Sequence, residues 1–178
     1  MTKKKSEGFK NDDQRTAAQA LKIFKDALDS STDAIGMSTP DGRHYYQNRS
    51  FDELFGDIGE NPSDTLFVDA QVGREVFDAI MAGGHWSGEV KMRAKDGGAL
   101  DIMLRAYANK DESGRVVSLV GVHTDITSLK SARDALRDSE ERLRLQIDRM
   151  PLASMVWDSG FRVIHWNLSA ETMFGQTK

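Results

Sequence analysis

The sequence contains no cysteine. That absence removes disulfides, thiolate zinc sites and every cysteinyl mechanism from consideration. Proline is scarce, at 3 residues in 178, so long helices and strands can run without interruption. No apolar run reaches the roughly 18 residues needed to cross a bilayer, and Met1 is followed by no signal-type apolar segment; a cytoplasmic chain is the default expectation. An excess of one charge is lacking too. The 24 basic and 28 acidic residues leave a formal net charge of −4, and the only basic cluster, Lys3-Lys4-Lys5, reads as a solvated tail, which argues against nucleic-acid and membrane partners. No nucleophile, base and orienting group occur at usable spacing, and His44 and His123 lack the further ligands that a metal site needs. The chain is therefore expected to be neither an enzyme nor a metalloprotein.

What is present is a core-forming pattern, with 39% hydrophobic and 29% charged residues in a length that suits one domain with extended ends, or a domain and a half. Residues 1–11 are polar and read as a disordered tail. From Asp12-Asp13 onward, Ala17, Leu21, Phe24 and Leu28 recur at helical spacing and predict an amphipathic helix over 12–31. "DAIGMSTPDGRHYYQN" predicts two short strands about a Pro40-Asp41-Gly42 turn. Phe51, Leu54 and Phe55 predict a short helix stopped by Gly56. Residues 57–69 read as loop and broken helix, followed by a helix from Ala70 with Val72, Val76, Phe77 and Ile80 inward and Gly83-Gly84 as its stop. Three strands of period-two alternation come next. The last, "RVVSLVGVHTD", is apolar on both faces and so is expected to be the central or most covered strand. Five strands with a helical middle segment make an α+β fold.

From Thr127 the pattern turns helical without an intervening Gly or Pro. Leu129, Leu136, Leu143 and Met150 fall every seven residues, with Ala132, Ser139 and Gln146 between them, which predicts a linker helix over 128–150 able to form a marginal two-stranded coiled coil. An internal repeat is also present. Residues 28–56 and 147–175 align without a gap at an offset of 119, with seven identities: Asp29/Asp148, Ala34/Ala153, Arg43/Arg162, Asn48/Asn167, Ser50/Ser169, Phe55/Phe174 and Gly56/Gly175. Residues 151–178 are accordingly expected to be the opening hairpin and helix of a second copy, loose or partner-exchanged on its own, within a longer protein. Asn48 and Asn167 each precede a short helix and are expected to cap it.

"DGRHYYQNRSFDELFG", "HWSGEVKMRAKDG" and "VVSLVGVHTDIT", in that order, closely resemble the PAS/PAC sensory module, whose pattern is a DGR hairpin ending in Asn, a WxGE strand, a KDG turn and a last strand ending in D-I-T. The resemblance places the PAS/PAC domain over 32–127. It implies a five-stranded antiparallel sheet with helices on one face, and a sensory or dimerisation role upstream of an output domain such as a histidine kinase or diguanylate cyclase. It further implies a homodimer through Ala17, Leu21, Phe24 and Leu28, and a signal junction at Asp125, Ile126 and Thr127.

Modules of this kind sometimes hold flavin, haem or small organic ligands. The light-sensing subfamily forms a cysteinyl-FMN adduct, which a chain without cysteine excludes; Met92 and Ile102 also stand where that subfamily has flavin-contacting amides. Non-covalent FAD is left open as an alternative function, a redox sensor. Haem in related sensors is held by a His on the connecting helix, and residues 70–82 contain none. The ligand-pocket candidates are His123, His44, Tyr46, Met92, Ile102, Leu104, Leu119 and Phe55. Strand alternation puts Val117, Leu119, Gly121 and His123 on the inner face. There the His123 imidazole has two readings: a site for a ligand carboxylate or carbonyl, with a charge that switches near neutral pH, or a neutral core histidine bonded to backbone or to Asp125. A ligand-free structural scaffold for dimerisation remains the second functional reading.

Overall fold

The computed structural model describes residues 3–59 and 65–175, with side chains from Arg15 onward. The first helix, α1 (Lys3–Asp29), starts well before Asp12. Residues 3–11, expected as a disordered tail, continue the helix, because once the amphipathic segment has nucleated it no proline stops propagation toward the N-terminus. A hairpin of β1 (Ala34–Ser38) and β2 (His44–Gln47) follows. Its turn is closed by Gly42 N–H donating to Thr39 O at 2.8 Å, with Gly42 at φ +87°, a value that only glycine adopts freely.

Two helices lie between the hairpin and the remaining strands: α2 (Arg49–Phe55) and α3 (Ala70–Met81), the latter capped by the Asp69 carboxylate accepting from Gln71 N–H. Between them, residues 60–64 of the expected loop and broken helix lie outside the described residues. Ile58 and Leu66, on either side, are buried. Strands β3 (His85–Arg93), β4 (Ala99–Lys110) and β5 (Val116–Asp125) complete a five-stranded antiparallel sheet of order β2-β1-β5-β4-β3. β5 is central, as its two apolar faces predict. Its register slips opposite Asn109/Lys110, so that Val116 packs on the core and Val117 is exposed, the reverse of simple alternation. The core fills one face of the sheet around Phe51, Met92, Ile102 and Leu104, all fully buried and each worth about 1.5–3 kcal/mol of burial.

The joint between α1 and the sheet is made by one side chain. Asn48, fully buried, accepts on Oδ1 from Ile35 N–H (2.8 Å) and Phe51 N–H (3.0 Å) and donates from Nδ2 to the carbonyls of Leu28 (2.8 Å) and Asp33 (3.0 Å). Ser50 Oγ donates to Ser31 O. The asparagine thus caps α2, as expected, and also bonds the Leu28 carbonyl at the end of α1, which accepts from Ser31 N–H as well (3.1 Å).

The chain divides into two compact units, residues 1–127 and 128–178. The second holds nearly all of α4 (Thr127–Arg149), then a hairpin of β6 (Met155–Trp157) and β7 (Val163–Trp166) and a short helix, α5 (Leu168–Phe174). Here the joint recurs. Asn167 accepts from Ser154 N–H and Ala170 N–H and donates to the carbonyls of Ile147, Met150 and Leu152, while Ser169 Oγ donates to Met150 O. Each Asn48 and Ser50 bond has its counterpart 119 residues later, so two of the seven identities are explained by one hydrogen-bond pattern.

Replacing Asn48 by Ala removes at once the four side-chain hydrogen bonds that join three elements. Urea denaturation of Asn48→Ala is expected to show a loss of about 3 kcal/mol, against about 1 kcal/mol for Ser50→Ala.

Candidate functional site

The site begins with a row of residues that have little or no side chain. Gly36 on β1 pairs with Gly121 on β5, and Gly121 with Ala106 on β4. Over this part of the sheet, space is left that neighbouring rings lean into. A Cβ on Gly36 would come within 2.9 Å of the Phe51 ring, and one on Gly121 within 2.8 Å of His123 Cε1. Phe51 stacks on His44 (5.5 Å, 26°) and meets His123 edge-on (5.3 Å, 81°); Phe55 meets His123 from another side (5.5 Å, 70°). Between these rings, the sheet and α3 lies a cavity of about 110 Å³. Phe67 and Phe77 form part of its half-buried rim, and Val76, Ile80, Met92 and Leu104 part of its apolar wall.

His123 is 6% exposed, and its Nδ1 lies 3.0 Å from Ala34 O. A carbonyl can only accept, so Nδ1 carries the proton, and in the neutral ring Nε2 is then a bare acceptor. Burial lowers the His123 pKa to about 4, opposed by the Ala34 hydrogen bond, which raises it. The imidazole is therefore the neutral core histidine bonded to backbone; a charge that switches near neutral pH is ruled out by desolvation. The other reading, a site for a ligand carboxylate or carbonyl, is disfavoured with it, because both present lone pairs to a ring nitrogen that has no proton to give. His44 has the opposite tautomer. Gln47 donates through Nε2 to Gly56 O and Asp52, which leaves its Oε1 to accept from His44 Nε2–H at 2.9 Å. Half-buried, His44 also titrates below its usual range, first through desolvation.

Of the sequence candidates, His44, Met92, Leu104, Leu119 and His123 line the cavity together. Phe55 does not; it buttresses His123 from behind. Ile102 is spent in the packed core beside the cavity. Tyr46 faces away because β1 and β2 slip register at Met37/Ser38. Its hydroxyl, expected to be bonded, is buried without a well-formed hydrogen bond, near enough to Asp29 that burial first and that carboxylate second raise its pKa. Pattern reading missed Ile58, Leu66 and Phe67, which come from an irregular segment. Val76, Phe77 and Ile80 carried a usable signal, the inward stripe of α3.

The junction residues lie at the other end of β5 from its register slip. Asp125 accepts from Thr127 N–H at 2.8 Å, Ile126 N–H donates to Asp101 O at 2.9 Å, and Thr127 Oγ accepts from Asp101 N–H at 2.9 Å. The first residue of α4, and Ile126 just before it, are thus bonded to the backbone of β4, while His123, four positions before Thr127 on β5, faces the cavity. On α1, Leu21 (71% exposed) and Phe24 (69% exposed) present an uncovered apolar face, as do Leu129, Leu136 and Leu143 on α4. Among the described residues, no group of three or more His, Asp or Glu can hold a metal, and no helix is long and apolar enough to cross a membrane.

A five-stranded antiparallel sheet cupping short helices around a small internal cavity defines a class of α+β domain seen in solved structures. One is the PAS domain of a protein from Colwellia psychrerythraea, 28% identical, with a TM-score of 0.55 over 61% of this chain and 98% of that one. A family profile described as "PAS domain" matches residues 32–128, and the chain belongs to the PAS domain family. Among curated proteins, it is similar to the probable diguanylate cyclase DgcE of Escherichia coli (strain K12), 29% identical over 105 residues, covering 58% of this chain and 9% of that protein. It is also similar to the methanogenesis regulatory histidine kinase FilI of Methanothrix harundinacea (strain 6Ac), 25% identical over 123 residues, covering 65% and 14%. The chain spans about a tenth of the length of these relatives.

The His123 environment has a measurable pH signature. Its folded pKa lies below the usual 6.5, so the unfolded chain binds more protons between pH 6.5 and 4; the stabilisation is complete above pH 6.5 and is lost as pH falls through that window. Urea denaturation of the wild type is expected to lose about 3 kcal/mol from this residue between pH 7 and pH 4. His123→Phe is expected to remove that part of the slope, with the smaller contribution of His44 retained.

Proposed function

We propose that this chain is a cytoplasmic, non-catalytic sensory and dimerisation module, which relays the state of its cavity through Asp125, Ile126 and Thr127 into α4 and on to an output domain of the same polypeptide. The observation that carries this reading is the continuity of β5 with α4. One strand presents His123 to the cavity and, four residues later, becomes a helix whose first residue is bonded to the neighbouring strand. The multidomain relatives support an output of the diguanylate cyclase or histidine kinase kind, the latter within a two-component system. The uncovered faces of Ala17, Leu21 and Phe24 on α1, continued toward Leu28, and of the α4 heptads favour a homodimer over a monomeric scaffold, since apolar stripes of this size are normally covered. FAD is not favoured. A cavity of about 110 Å³ is smaller than an engineered site of about 150 Å³ that takes one benzene ring, and three fused rings would have to displace Phe51 or His123.

Two measurements test the reading. Sedimentation of the wild type is expected to give a dimer, and Leu21→Asp with Phe24→Asp a folded monomer by circular dichroism; a wild-type monomer at high concentration overturns the dimer. Thr127→Val is expected to speed amide exchange in the first turn of α4 about tenfold while β5 stays protected; unchanged exchange there removes the junction from the relay.

A further inference from the structure

The face of the sheet turned away from the cavity carries a connection of its own between the roots of two helices. Leu104, Ala106 and His123 line the cavity, so their strand neighbours Arg105 and Thr124 point the other way. There they meet Asp33, which stands between the end of α1 and the first residue of β1. Thr124 Oγ donates to Asp33 Oδ1 at 2.7 Å and accepts from Arg105 Nη2 at 3.3 Å, while the same guanidinium lies 3.6 Å from Asp33 Oδ2. With its hydrogen given and a lone pair taken, the hydroxyl has a fixed orientation. The exposed Arg105–Asp33 pair holds little energy alone; the short, charge-assisted bond from Thr124 is the strong member. Asp33 also offers its carbonyl to Asn48 Nδ2, the group that bonds Leu28 O in the last turn of α1. Thr124 is followed by Asp125, whose carboxylate accepts from the N–H of Thr127, the first residue of α4. In the second unit the position equivalent to Asp33 is Leu152, and the Asn167 joint forms without a carboxylate there. Holding a helix to its hairpin therefore does not require the acid, and its presence at position 33 calls for another role.

We propose that Asp33, Thr124 and Arg105 couple the root of α1 to the root of α4 across the outer face of the sheet, so that a change in how α1 packs against a second copy reaches α4 without any event in the cavity. This rests on the reading of α4 as the output of the first unit and gives that output a second input. Asp33 and Thr124 are positioning residues, acting through Asp125 and Thr127. The connection from α1 into β1 is gripped from both faces of β5: His123 bonds the Ala34 carbonyl on the cavity side, and Thr124 bonds the Asp33 carboxylate on the other. Adjacent residues of one strand thus serve two routes. Removing the Thr124 hydroxyl leaves the His123 bond in place, which makes the routes separable by substitution.

The test uses the whole purified chain and amide exchange in the first turn of α4. Ala27 is exposed in the last turn of α1, so Ala27→Gly loosens that turn without touching the three side chains. In the wild-type background this change is expected to speed exchange in the first turn of α4 about threefold, with β3 unchanged. In a Thr124→Val background, Ala27→Gly is expected to leave α4 exchange where it stands, and Thr124→Ser, which keeps the hydroxyl, to restore the response. If Thr124→Val does not fold, Asp33→Leu, the side chain found at the equivalent position of the second unit, takes its place in the same comparison. No response of α4 in the wild-type background, an equal response with Thr124→Val, or no restoration by Thr124→Ser overturns the proposal. Thr127→Val acts at the junction itself, so failure of the relay and failure of this second input are read in different variants.

Discussion

The buried carboxamide of Asn48 holds the rest of the first unit in register. Its two acceptor and two donor bonds reach the end of α1, the start of β1 and the first turn of α2 at once, so three backbone directions are set by one rigid planar group. The orientation of α2 follows from it, and with α2 go Phe51 and Phe55, the rings that hold His123 edge-on. A side chain some distance from the cavity therefore positions the wall of the cavity. The low dielectric around Asn48 strengthens each of its bonds, and the same burial makes any one of them costly to lose.

The sheet centre shows a different balance. Gly36 and Gly121 give up side-chain packing on two adjacent strands, and a filled row there would add to stability. Rings from α2, β2 and β5 recover part of that packing, but a void remains. Departures of this kind from close packing concentrate where a protein does something other than fold. The peripheral ion pairs contrast with this. Lys91–Asp101, Arg49–Glu53 and Arg115–Asp111 are exposed on at least one side and hold little energy.

Most of the architecture was legible in the residues. Two-residue alternation found β3, β4 and β5, the apolar character of both faces placed β5 at the centre, and Pro40-Asp41-Gly42 located the first turn. The asparagine joint was only half legible: capping of a following helix has a local spacing, whereas the bond from Asn48 to Leu28 spans twenty positions and a change of direction, which no periodicity encodes. Alternation brought His44, Leu119 and His123 to the inner face, yet failed at Tyr46 and Val117, where register slips in β1/β2 and β4/β5 shift the pattern by one. The protonation of His123 was beyond reach of the sequence, because it is decided by a carbonyl on a strand 89 residues away. Irregular segments such as Ile58 and Leu66–Phe67 carry no period, so their share of the cavity wall could emerge only from the folded chain.

The helix α4 has no buried residue along its length. At one end Thr127 is bonded to Asp101, and near the other the carbonyls of Ile147 and Met150 are bonded by Asn167. Between these fixings, the number of residues acts as an angular dial, since each added or deleted residue turns the far end by about 100° and moves it by about 1.5 Å. Length in this segment is therefore a matter of phase: seven residues, close to two full turns, nearly restore the original facing, whereas two or five place the distal backbone on the opposite side of the axis. Insertions that look interchangeable by size are not interchangeable by azimuth.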